Sequence, residues 1–242
     1  MKNGKFLIIG AAIILSAALL AQAYTYKFRA QHTIIVTGLG ETEFSSDKIV
    51  WSATLTAEAP TASAGYAQIE ESKRKVAAYL AAKGLPESAV VYGFVSTDKQ
   101  YVPNYTANGN WAGQRFVGYE LRQRVVIESE DVPLVEQISR EISSLIAQGV
   151  AIEAYAPDYY YTKLDDVKMG LIETASADAR LRAEKIAANA GAKLGSVVTA
   201  RMGVFQITGA NSNEEFSAGG SFNTSSRQKK ARITMRIEYR VK

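Results

Sequence analysis

Apolar and polar positions alternate strictly in two stretches of this chain and recur at helical spacing in three others. From Lys48 to Ala59, Ile49, Trp51, Ala53, Leu55 and Ala57 fall on one face, and Ser52, Thr54, Thr56 and Glu58 on the other. That period of two predicts a strand covered on one side. Lys229 to Lys242 is more regular still: Ala231, Ile233, Met235, Ile237, Tyr239 and Val241 oppose Lys230, Arg232, Arg236, Glu238, Arg240 and Lys242. This pattern predicts a strand paired inside a sheet. Helical spacing appears after Pro60, where Thr61 or Ser63 can cap a helix to about Lys83 with Ile69, Val76 and Leu80 inward. It returns from Val132 to Gln148, with Val135, Ile138, Ile142 and Leu145 inward and Gly149 as the stop.

The third helical stretch, from Leu164, repeats Val167, Leu171, Ala175, Ala179, Ile186 and Ala190 at steps of four or seven, and Gly191 follows as a left-handed cap would. A stripe made mostly of alanine demands a partner that comes close, so the helix is expected to lie on the sheet that ends in Lys229 to Lys242.

The remaining segments are shorter. His32 to Leu39 is rich in β-branched residues and predicts a strand closed by a turn at Gly38 and Gly40, followed by the polar stretch Glu41 to Asp47. Ala89 to Val102 and Gln114 to Glu128 read as a long hairpin, with turn signals at Pro103, Asn108-Gly109 and Gly113. Ile152 to Thr162 is a strand interrupted by Pro157, hence an edge or bulged strand. Ser196 to Thr208 reads as one strand, and Gly209 to Arg227, rich in Gly, Ser and Asn, as a loop mobile or ordered only by a partner. The order predicts an α+β fold: two small halves, about 31–130 and 131–242, with mixed or antiparallel sheets each covered by helices.

Residues 1–30 form a separate unit. Lys2 and Lys5 precede Phe6 to Ala23, a run of 18 residues without a charge, which as a helix spans roughly 27 Å. Ala21 and Ala23 form a cleavage site that would leave Tyr24 first, as in a signal peptide. The length of the run and the flank Tyr24, Tyr26, Lys27, Phe28 and Arg29, arranged like an interfacial belt, favour an uncleaved anchor. Either way the segment predicts export, with the rest of the chain on the periplasmic side of the envelope, anchored to the inner membrane or soluble.

Composition narrows the chemistry. The chain has no cysteine, which excludes disulfides, thiolate catalysis and lipid attachment through Cys. Its formal charge of +4 falls to +2 without Lys2 and Lys5, too little to argue for nucleic acid. His32 is the only histidine, so neither a histidine metal cluster nor a Ser-His-Asp triad is readable, and no cofactor is expected. Gly38-Leu39-Gly40 lacks the third glycine of a dinucleotide fingerprint. Asp165 and Asp166 diverge by about 100° on a helix and suit its dipole better than paired catalysis.

Two features remain. Arg227, Lys230, Arg232, Arg236 and Arg240 could present a basic face to an anionic envelope component, or simply form the solvent face of a sheet. Tyr101, Tyr105 and Trp111 at the hairpin tip, with Tyr159, Tyr160 and Tyr161, could make subunit contacts or gather in one aromatic cluster inside the monomer.

The chain resembles the SIMPL domain family over about residues 33–242. The resemblance rests on Ile35-Val36-Thr37-Gly38-Leu39-Gly40 followed by Asp47 and a strand, and on Gly118-Tyr119-Glu120. It rests equally on Ala175, Ala179, Ala183, Ala187 and Ala190 followed by Leu194-Gly195-Ser196-Val197. It implies an exported α+β protein without an assigned active site, in a family that includes ring- or channel-like homo-oligomers and links to stress tolerance. The glycine-serine loop and the leader depart from that pattern, so ring size and attachment are not carried over. The expectation is a non-enzymatic envelope protein that assembles with itself, touching the membrane through its leader if uncleaved. The alternative is a module binding an anionic lipid headgroup or glycan through the basic last strand.

Overall fold

The computed structural model describes residues 3–29, 32–214 and 217–242. Lys2, the boundary at residues 30 and 31, the side chains of Lys5, Lys27, Phe28 and Arg29, and Glu215 and Phe216 lie outside the description. In chain order the elements are α1 (Asn3–Arg29), β1 (Thr33–Ser45), β2 (Lys48–Ala59), α2 (Ala62–Ala82), β3 (Val90–Tyr105), β4 (Trp111–Ser129) and α3 (Val132–Glu141). There follow β5 (Ile152–Ala154), β6 (Asp158–Tyr160), α4 (Leu164–Asn189), β7 (Leu194–Met202), β8 (Gln206–Gly209) and β9 (Gln228–Val241).

The fold is α+β, with two antiparallel sheets. One has five strands in the order β3-β4-β2-β5, with β6 also beside β2. The other has four, with β9 between β1 on one side and β7 and β8 on the other. Each sheet draws strands from both sides of residue 130. β1 pairs with β9 through 13 residues, from Thr33 opposite Arg240 to Ser45 opposite Gln228, while α3, β5 and β6 serve the five-stranded sheet. The halves about 31–130 and 131–242 therefore do not follow the sheets, because the most regular strand of the chain takes its long partner from the opposite end.

The alternating strands form as their patterns dictate. Ile49, Trp51, Ala53, Leu55 and Ala57 of β2 are buried against α2 and α3, and Trp51 Nε1 donates to the Tyr155 carbonyl at 2.8 Å. Thr61 caps α2, accepting from Ala64 N at 3.3 Å, and Ile69, Val76 and Leu80 face the core. Asp131 caps α3 by accepting from Leu134 N. Beyond Glu141 the chain tightens into a 3-10 turn, Ile142–Gln148, rather than continuing as α-helix. The tighter winding stacks residues three apart, and so keeps Ile142 and Leu145 on one buried face.

The second sheet corrects four expectations. Gly38 and Gly40 do not close a turn: β1 runs straight through them, and their reason is proximity to α4. A Cβ on Gly38 would lie 2.1 Å from the Ala175 carbonyl oxygen and 2.5 Å from Ala179 N, and one on Gly40 2.4 Å from the Leu171 carbonyl oxygen. The buried stripe of α4 is Leu171, Ala175, Ala179, Ala183 and Ala187 in steps of four, while Ile186 is exposed. The helix does lie on the sheet of β9, and packs most extensively on β1.

The stretch Ser196 to Thr208 is two strands, because the chain leaves the ladder at Gly203 before β8. The Gly/Ser loop after β8 is held by its own bonds. Ile207 N donates to the Ser221 carbonyl (2.7 Å), Asn223 N to the Ile207 carbonyl (3.0 Å), and Gln206 Nε2 to the Ser217 carbonyl (2.7 Å).

Candidate interaction surfaces

Each sheet with the helices on it makes one half of the folded molecule, and these two halves meet at a polar and aromatic junction where the chain crosses between sheets. Ser46 N donates to the Arg227 carbonyl and Asp47 N to the Tyr160 carbonyl. The Asp47 carboxylate accepts from both Thr162 N (2.8 Å) and Thr162 Oγ1 (2.7 Å). Glu136 on α3 receives Tyr159 Oη at 2.9 Å on one oxygen and Arg227 Nη1 at 3.0 Å on the other. Burial, then the bond to Glu136, pushes the Tyr159 hydroxyl up to about 12. The Tyr161 ring packs against Phe44 with centroids 4.6 Å apart.

Tyr159, Tyr160 and Tyr161 thus lie at this junction, and Arg227 is bound into it rather than placed on a basic face. Beside it, Lys229 is buried and its ammonium donates to the Asn223 carbonyl; burial pulls its pKa below the ordinary lysine value.

The outer face of β9 carries Lys230, Arg232, Arg236 and Arg240, away from α4. Two of these four cations share one partner from β1, where Glu41 pairs with Arg232 and, at 3.5 Å, with Lys230. Arg236 and Arg240 are exposed. A residue missed in the sequence joins them: Arg201 of β7 stands directly opposite Arg236. Ile35, Thr199, Arg201, Arg236 and Glu238 line a shallow hollow of about 280 Å³. The alternation of β7 is broken by two register shifts, which hides Arg201 from a pattern reading.

The hairpin of β3 and β4 is longer than its sequence signals, reaching Tyr105 and Trp111 around a turn in which Gly109 adopts φ +79. Residues 99–117 extend as an arm whose Tyr101, Val102, Tyr105, Trp111, Phe116 and Val117 are exposed. Tyr101, Phe116 and Tyr119 contact one another edge to face along it, with centroids 5.7 and 5.2 Å apart. The hairpin aromatics and the Tyr159–Tyr161 run are therefore two separate groups.

Among the described residues α1 is the one helix long and apolar enough to cross a membrane. None of its Ile9–Tyr26 window is buried, which suits a signal peptide or an anchor. Again among the described residues, no three His, Asp or Glu side chains converge as a metal site would require.

These features describe a two-sheet, helix-covered α+β protein led by an apolar helix, with its conspicuous surfaces on strands and a hairpin. The model of the SIMPL family, described as a protein of unknown function (DUF541), matches residues 34–241, and the chain belongs to that family. No curated protein matches the chain.

Proposed function

We propose that this is a non-enzymatic protein of the cell envelope that assembles with itself, exported behind α1 and serving a structural or stress-protective role. It stands on the periplasmic side, held at the inner membrane by α1 or released from it. The observation that carries this reading is the arm of residues 99–117, where six large apolar side chains are left to solvent. Exposed aromatic and apolar side chains concentrated on one hairpin mark a protein-protein contact. The family resemblance supports a ring or channel as the form of the assembly.

Light scattering of the full chain in detergent tests it. The expected protein mass is a multiple of 26.3 kDa that falls toward one chain in Tyr101→Ser/Tyr105→Ser/Trp111→Ser. In that variant Trp51 is the remaining tryptophan, and its buried emission reports that the core is intact. A single-chain mass for the unaltered protein at every concentration overturns the reading.

A second reading is favoured by one observation. Arg201 and Arg236 face each other across neighbouring strands, a costly arrangement for like charges that a bound phosphate or carboxylate would relieve. On this reading the outer face of β9, including Arg240, holds an anionic lipid headgroup or glycan. Arg201→Glu with Arg236→Glu then abolishes pulldown on anionic vesicles or glycan without altering thermal stability, and unchanged pulldown rejects it.

A further inference from the structure

The five-stranded sheet is hollowed on the face turned away from α2 and α3. The hollow, of about 740 Å³, crosses β3, β4 and β2 and ends at Glu153 and Tyr155. That volume suits a small-molecule site and is well above the 280 Å³ beside Arg201 and Arg236. β3 places an aromatic ring on its rim. Tyr92 pairs with Val125 and Val95 with Gln123, which leaves Gly93 and Phe94 together opposite Arg124 alone. Such a bulge re-aims a side chain, and Phe94 stands 87% exposed. The bulge is pinned from the core, where the buried Gln123 donates from Nε2 to the Gly93 carbonyl at 2.9 Å. Among the described residues its Oε1 has no partner. A half-satisfied buried amide is costly, and an apolar residue would fill the core better, so what the amide maintains is the bulge.

On the far rim, three strand spacings or about 14 Å away, Tyr155 is exposed, its carbonyl held by Trp51 and its hydroxyl 3.4 Å from Thr54 Oγ1. Between the two rings lie Thr54, Thr56, Glu120, Arg122, Arg124 and Glu153. Their charges balance. Arg122 Nε and Nη2 sit 2.8 and 2.6 Å from Glu120 Oε1, and Arg124 Nη2 donates to Ser52 Oγ at 2.9 Å. Among the described residues, the side chains of Thr56 and Glu153 make no hydrogen bond. Charges at the centre and rings at the rim invert the order of a protein-protein contact, whose core is depleted of charge. Balanced charge gives a polyanion no net attraction. Hydroxyls, a guanidinium and a carboxylate side by side suit a polyol, whose neighbouring hydroxyls both donate and accept, and exposed rings suit the apolar faces of sugars.

We propose that this hollow binds a chain of uncharged sugar rings, one stacked on Phe94 and another on Tyr155, with the hydroxyls between them bonded to Thr54, Thr56, Arg124 and Glu153. The site lies on the other sheet from the basic face of β9 and takes a ligand of different chemistry.

Isothermal titration of the full chain, in a polyoxyethylene detergent that carries no sugar, tests this with chitotetraose, maltotetraose and a heparin-derived tetrasaccharide. Saturable binding of at least one uncharged saccharide is expected, with an affinity that high salt leaves unchanged. Phe94→Ala and Tyr155→Ala should each weaken it about tenfold, and Thr56→Val, which removes a hydroxyl but keeps the side chain's shape, should weaken it as well. Arg236→Glu on the other sheet should change nothing. Because Phe94 and Tyr155 are exposed, each variant is expected to melt with the parent and keep the buried emission of Trp51. Failure of both uncharged saccharides to bind, or binding that survives both ring substitutions, overturns the inference. Binding confined to the heparin fragment and abolished by salt overturns it too, since that is the behaviour of a polyanion site.

Discussion

The two halves solve one packing problem with opposite means. Under the five-stranded sheet the space is filled by large side chains, among them Trp51, Leu55, Ile69, Leu121 and Ile127. Under the four-stranded sheet α4 comes so close that Gly38 and Gly40 of β1 meet its backbone beside Ala175 and Ala179. The first half is therefore sensitive to atoms removed, and the second to atoms added.

The sharpest break of that comparison is Trp51→Ala, which empties the centre of the first core. About 3–5 kcal/mol is the expected loss in urea unfolding; under about 1 kcal/mol would show that side-chain volume does not hold this half. Gly38→Ala follows at the upper end of overpacking, about 3 kcal/mol, because its Cβ would strike backbone atoms that cannot rotate away. A variant as stable as the parent would mean that α4 does not approach β1 closely.

Gly65→Ala is the control within the first half. The atom its Cβ would meet at 2.2 Å is Leu121 Cδ1, the end of a flexible side chain, and the helix gains up to about 1 kcal/mol in propensity. The expected change is within about 1 kcal/mol of zero. A loss as large as that of Gly38→Ala would erase the distinction between the halves.

The smallest effect concerns the junction. The Tyr159 hydroxyl is raised to about 12 in the folded chain, against about 10 for an unperturbed tyrosine. Its contribution is therefore whole below about pH 10 and lost as pH rises through about 12. Tyr159→Phe should flatten the fall of stability across that window, and an unchanged slope would remove Tyr159 from the junction's alkaline response.

Local patterns were legible where one short-range rule dominates. The alternation of β2 and β9, the Thr61 cap and the Gly149 and Gly191 stops all appear where their residues place them. What escaped a local reading depends on partners far along the chain. Gly38 and Gly40 look like turn residues until the alanines of α4, more than a hundred positions on, are set against them. β1 shows no sign in its own residues that it belongs with β9.

The surfaces divide in the same way. The place of Tyr101, Tyr105 and Trp111 on a hairpin tip was readable from turn signals, while their exposure was one of two alternatives that the sequence left open. The burden on Arg227, Lys230 and Arg232 was not, since Glu136 and Glu41 answer them across the fold. Nor was Arg201, hidden by bulges in β7.

Self-assembly is tested most directly by native mass spectrometry of the full chain released from detergent over a wide range of protein concentration. A discrete mass at a fixed multiple of 26.3 kDa, persisting on dilution, is the predicted result; a single chain at every concentration would contradict it.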